Sequence, residues 1–114
     1  MKKSSLGLAG AIATLAGVAL AIPPSGSGDA TAGSAVYHNK CMICHGADGQ
    51  GATGYAKAMG LQPAQMSSDR VQKKTDAELK KIIFEGSGKM KPVKGLNEID
   101  ISNVIAYVRN FRKK

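Results

Sequence analysis

Both cysteines of the chain fall in one pentapeptide, Cys41-Met42-Ile43-Cys44-His45, and no other feature limits the possible folds as sharply. Residues at i and i+3 share one helical face, with Cβ atoms roughly 5–6 Å apart. With no third cysteine, a disulfide framework is excluded. Zinc would need Cys41, Cys44, His45 and a fourth ligand such as His38, and the second half of a finger spacing is missing. A thiol oxidoreductase would set C-x-x-C beside a βαβ unit, and no parallel-strand pattern occurs. A purely structural disulfide leaves His45 without a role. What remains is C-x-x-C-H, the c-type haem attachment sequence. Its two thiols can form thioethers to two vinyl groups of one porphyrin, and the adjoining imidazole is then held under the ring to meet the iron.

The rest of the composition asks for such a group. Only 20 of the 82 residues from position 33 to 114 are Leu, Ile, Val, Met or Phe, and there is no Trp. A domain this small buries about 60% of its unfolded surface and often needs a staple. A porphyrin would supply the missing apolar bulk. At most one domain fits the length.

The first 21 residues read as an export signal. Lys2 and Lys3 form a basic start, residues 6–20 are apolar or small, and Ala19-Leu20-Ala21 is an A-x-A cleavage pattern. A second small-residue site, Ala30-Thr31-Ala32, leaves the cut open. Retention as an anchor is the rival, since residues 6–22 reach the short edge of the ~17–25 needed to span a bilayer. The expected organisation is a signal at 1–21, a flexible lead-in at 22–32 and one domain at 33–114. Either processing route puts the domain outside the cytoplasm, with the periplasm expected.

Three helical stretches stand out in the mature chain. Residues 31–40 lead into the cysteine motif. Thr75-Asp76-Ala77-Glu78 is a capping box before Leu79, Ile82 and Ile83, with Gly86 as the stop. Asn97-Glu98-Ile99-Asp100 is an acidic helix start. Ile101, Val104, Ile105 and Val108 then follow at i, i+3, i+4 and i+7, with Arg109 and Arg112 near the negative end of the dipole. Glycine-rich loops at 46–54 and 86–95 separate these helices. Loops this long in a small chain imply ordering around a ligand.

A second axial ligand for the iron should lie downstream of His45. Met59, Met66, Met90 and His38 are the candidates. Gly86-Ser87-Gly88-Lys89-Met90-Lys91-Pro92 favours Met90, on a flexible loop between two helices with a proline stiffening its exit. Met59 and Met66 are expected to fill core space. His38 is expected on the attachment side of the ring or in solvent.

With these pieces in order, residues 33–114 resemble a small monohaem class I cytochrome c of the bacterial periplasmic kind. Gly33 and Tyr37 precede Cys41-Met42-Ile43-Cys44-His45-Gly46, followed by Asp48-Gly49-Gln50-Gly51, the helix at 75–85, Met90 with Pro92, and Ile105-Ala106-Tyr107-Val108-Arg109. The resemblance implies an all-α fold of three to five helices, with long loops wrapped around one covalently bound haem c. It makes Cys41 and Cys44 the covalent attachments, His45 the proximal iron ligand and Met90 the distal one. It also implies that Gly33 lets the first helix cross the last closely, near Tyr107. Lys91 stands where the family usually has proline after the ligand methionine.

His/Met ligation raises the reduction potential and fills both axial positions. One-electron transfer at the exposed haem edge is therefore expected, and no enzyme activity. Asp48, Asp76 and Glu85 are scattered and are expected to be solvated. Two alternatives stay open: a tethered relay subunit of a membrane oxidase or dehydrogenase, and a haem enzyme or gas sensor if Met90 is not a ligand. The chain carries 16 Lys and Arg against 8 Asp and Glu. Without Lys2 and Lys3 the net charge is +6. Lys40, Lys89, Lys91 and Lys94 flank the ligand-bearing segments, and Lys73 and Lys74 precede the middle helix. Cationic rims of this kind steer encounter with acidic-surfaced redox proteins. A monomer is expected, with no nucleic acid partner and membrane contact only through a partner or a retained signal.

Overall fold

The computed structural model describes residues 28–113, so the signal expected at 1–21 and the start of the expected lead-in lie outside the described residues. Three long helices carry the fold: α1 (Ala30–Lys40), α5 (Asp76–Glu85) and α6 (Glu98–Arg109). Three short ones lie between α1 and α5: α2 (Met42–His45), α3 (Gly54–Ala58) and α4 (Asp69–Gln72). A 3-10 turn over Asn110–Lys113 extends α6. Among the described residues the sole β-type pairing is the isolated bridge between Ser87 and Met90. The architecture is all-α.

Helix starts follow the sequence signals. Thr75 caps α5 by accepting the Glu78 amide, and Asn97 caps α6 in a reciprocal box with Asp100. Helix α1 starts one residue before the stretch expected at 31–40. Asp29 caps that helix through the Thr31 amide at 2.9 Å, and its own amide donates to Asn103 Oδ1 at 2.8 Å. Asp29 is thus tied to α6, and Ala30, Thr31 and Ala32 form the first turn of α1 rather than part of a lead-in.

The most extensive packing is α1 against α6. A Cβ on Gly33 would overlap the backbone carbonyl of Asn103, so only glycine permits this approach. One turn further along both helices, Tyr37 packs its ring 5.2 Å from that of Tyr107. The closest approach is therefore at Asn103, one turn before Tyr107. Tyr37 and Val104 are fully buried, and Ile101, Ile105, Phe111, Leu79, Val71 and Met66 complete the core. The stripe expected on α6 is the one that faces inward.

The lower ends of α4, α5 and α6 are joined by polar contacts. Arg109 donates to Asp76 Oδ1 from Nε (3.2 Å) and Nη2 (2.7 Å), and to the carbonyls of Gln72 and Lys74. Asp76, expected to be solvated, is instead a half-buried ion-pair partner. Gln72 Nε2 in turn donates to the Met66 and Val108 carbonyls. Among the described residues, no helix is long and apolar enough to cross a membrane.

Candidate haem site

The cysteine motif forms a single turn directly after α1. Cys41 ends α1 and caps α2, and its carbonyl accepts the amides of Cys44 (3.2 Å) and His45 (3.0 Å). Both thiols are free and half-buried on this one turn. Burial, with the neighbouring Cys44 second, pushes the Cys41 thiol up to about 11. Three bonds hold the turn. Tyr37 donates its hydroxyl to the Gly46 carbonyl at 2.6 Å. Thr53, the cap of α3, donates to the Ile43 carbonyl at 2.8 Å. The Gly51 amide donates to the His45 carbonyl at 2.7 Å.

His45 is oriented by a partner that carries no sequence signal. Its Nδ1 lies 3.1 Å from the Ala64 carbonyl, which can only accept, so the proton sits on Nδ1. Nε2 is left with its lone pair. Burial lowers the His45 pKa, against a smaller opposing effect of the Ala64 bond, so the ring favours the neutral form that a metal needs. An acceptor of this kind on the other ring nitrogen of a ligating histidine fixes the tautomer and raises ligand basicity.

Met90 ends a tight turn. Its amide and carbonyl exchange bonds of 2.9 Å with Ser87. The base of the turn rests on α5. Gly86 ends that helix at φ +81, and a Cβ there would meet the Met90 carbonyl at 2.6 Å and Pro92 at 2.9 Å. Positive φ and close approach both require glycine at this position. The Val93 amide then bonds the Ile83 carbonyl at 2.9 Å. The Met90 side chain is half-buried.

The other ligand candidates stand in different surroundings. Met66 is buried in the core, as expected. Met59 is not: it stands at the C-cap of α3 and is 57% exposed. His38 is exposed, donating Nδ1–H to the Ser34 carbonyl at 2.7 Å. Among the described residues, no three His, Cys, Asp or Glu side chains gather closely enough to hold a bare metal ion.

The donor set fits a covalently bound porphyrin. Two free thiols sit on one turn, an imidazole has its Nδ1 occupied and its Nε2 free, and a thioether stands on a braced turn.

The family described as cytochrome c oxidase, cbb3-type, subunit III matches residues 28–108. Cytochrome c-554(547) of Halothiobacillus neapolitanus is 35% identical over 91 residues, covering 75% of this chain and the whole of that protein. Among solved structures, KustC0563, a c-type cytochrome, superposes with a TM-score of 0.59 at 28% identity, covering 69% of this chain and 95% of the other. Sequence motif, helical fold and both relatives converge: the chain belongs to the cytochrome c family, is of the small monohaem kind, and has covalently attached haem c as its cofactor.

Proposed function

We propose that this protein is an exported, soluble one-electron carrier. Cys41 and Cys44 make the thioether attachments, His45 Nε2 binds the iron on the proximal side and Met90 sulfur on the distal side. Bound in this way, the haem supplies reversible Fe(II)/Fe(III) exchange. The chain's own residues do the rest. Ala64 aims the imidazole, Tyr37 and Thr53 brace the attachment turn, and α5 carries the turn that presents Met90. The observation that carries the reading is the free Nε2 of His45, left by the Nδ1–Ala64 bond on the turn that holds both thiols.

With both axial positions filled by the chain, substrate has no open place on the metal, which favours carrier over enzyme. The ferrous protein should therefore not bind carbon monoxide on mixing, whereas Met90→Ala should bind it and keep its haem. Rapid binding by the wild type would support a gas-binding or catalytic role instead.

Docking to an acidic redox partner is supported by where the lysines lie. Lys40 Nζ comes within 3.6 Å of the Cβ position of Gly95, so the end of α1 and the Lys94–Gly95 end of the Met90 loop adjoin. Lys91 and Lys94 are exposed on the same loop. Lys73 instead caps the end of α4 and pairs with Asp69 at 3.4 Å.

A tethered relay subunit is the second reading, favoured by the oxidase-subunit description of the matching family and by the apolar stretch at 6–22. Fractionation of cells after a high-salt wash separates the two. Haem stain in the soluble fraction supports the carrier, and haem stain retained in the membrane pellet supports the subunit.

A further inference from the structure

The turn that bears Met90 is anchored at its base to α5 and bridged at its tip to a distant element. At the base stand the Gly86–Met90 contact and the Val93–Ile83 bond. At the tip, Lys89 Nζ donates to the Gly60 carbonyl at 3.4 Å, across 29 residues of sequence. Among the described residues this is the one side-chain hydrogen bond between the Ser87–Met90 turn and another part of the chain.

Gly60 is a fixed acceptor. The Leu61 amide bonds the Ala56 carbonyl at 2.8 Å and the Gly60 amide bonds the Lys57 carbonyl at 3.1 Å, with Gly60 at φ +67. Those two bonds form a Schellman motif, which closes α3. A cation there also meets the negative end of the helix. α3 is itself tied to the haem-attachment turn through Thr53, whose hydroxyl caps α3 and donates to Ile43. The Lys89–Gly60 bond thus spans from the Met90 turn to the element that braces the attachment turn.

We propose that Lys89 is a positioning residue for the sixth ligand, clasping the Met90 turn to the Schellman end of α3 so that the thioether stays at the iron. The proposal rests on Met90 being the distal ligand. Lys89 touches neither iron nor partner in this role; it resists the outward swing of a turn whose other hydrogen bonds to the described residues lie at its base. An exposed charged hydrogen bond is weak, so its loss should loosen the ligand without releasing it.

The test is titration of the ferric holoprotein with imidazole, read from the haem absorbance, across five proteins: wild type, Lys89→Ala, Lys89→Arg, Lys91→Ala and Met90→Ala. Imidazole competes with the sixth ligand, so its apparent affinity reports how readily that ligand leaves. Lys89→Ala should bind imidazole about three- to tenfold more tightly than wild type. Lys89→Arg should return to near the wild-type value, because arginine can donate to the same carbonyl. Lys91→Ala removes the same charge on the other side of Met90 without the clasp and should stay near wild type. Equal affinities for Lys89→Ala and wild type, alongside an opened Met90→Ala, would overturn the clasp and leave the ligand assignment standing. Equal loosening in Lys91→Ala would overturn it as well, since charge alone would then explain the effect. A Met90→Ala spectrum and affinity matching wild type would remove the ligand assignment, and the clasp with it.

Discussion

Gly33 of α1 and Asn103 of α6 meet backbone to backbone, with no room between them for a methyl group. This crossing sets where the attachment turn begins, since Cys41 stands where α1 ends. Gly33→Ala gains roughly 1 kcal/mol in helix propensity. It must also push two helices apart against rigid backbone, and overpacking costs about 1–3 kcal/mol or more. A net loss of about 2 kcal/mol is expected, measured as a lower urea midpoint with the haem still attached. An unchanged midpoint would mean that the helices part freely.

Tyr37 couples the same crossing to the motif through its 2.6 Å bond to Gly46. Burial raises the Tyr37 pKa well above its ordinary value. The folded state therefore keeps the phenolic proton to higher pH than the unfolded chain, whose tyrosines titrate near ~10. Its contribution is complete below that pH and is lost as pH rises above it, at up to about 1.4 kcal/mol per unit. Tyr37→Phe should cost about 1–2 kcal/mol at neutral pH. Above pH ~10 it should lose stability less steeply than wild type. Parallel curves from pH 8 to 11 would show that Tyr37 is not the group responsible.

Arg109 ties α6 to the turn before α5 by four hydrogen bonds, two of them to Asp76. Removing it strands a half-buried carboxylate and two carbonyls, so Arg109→Ala should lose about 2–3 kcal/mol. Lysine cannot reproduce the forked donation to Asp76, so Arg109→Lys should recover less than half of that loss. Chemical denaturation of the two holoproteins checks both figures, and full recovery by lysine would reduce the contact to simple charge pairing.

Lys40, Lys91 and Lys94 are the cations to change when docking is probed, because Lys89 is engaged at Gly60. Steering by such charges raises association rates by 10 to ~10³-fold and fades with salt. Replacing all three by glutamine should slow electron exchange with an acidic redox protein at low salt and flatten the dependence on ionic strength. The potential should hardly move. Stopped-flow rates at several salt concentrations decide this, and superimposable salt curves would leave these lysines as solubilising charge.

Local signals were legible in the sequence, and contacts between distant backbone groups were not. Thr75 and Asn97 mark the starts of α5 and α6, and the apolar stripe of α6 faces the core as its spacing predicts. α3 and α4, of five and four residues, are too short for any periodicity to show. Ala64 orients His45 through its carbonyl, and a backbone acceptor leaves no trace in residue identity. Asp76 and Arg109 stand 33 positions apart, so their pairing emerges only once α5 and α6 have packed. Met59 misled for a related reason. Its apolar side chain suggests core, but it closes a short helix at the surface.

Attachment of haem through Cys41 and Cys44 is the central claim, and the mass of the denatured protein tests it most directly. Produced in a strain competent for periplasmic haem attachment, the wild type should exceed its processed polypeptide mass by one haem after denaturation and acid extraction. The doubly substituted Cys41→Ala, Cys44→Ala protein should show bare polypeptide mass. A wild-type protein that releases its haem under those conditions, or never carries it, would contradict covalent attachment at this motif.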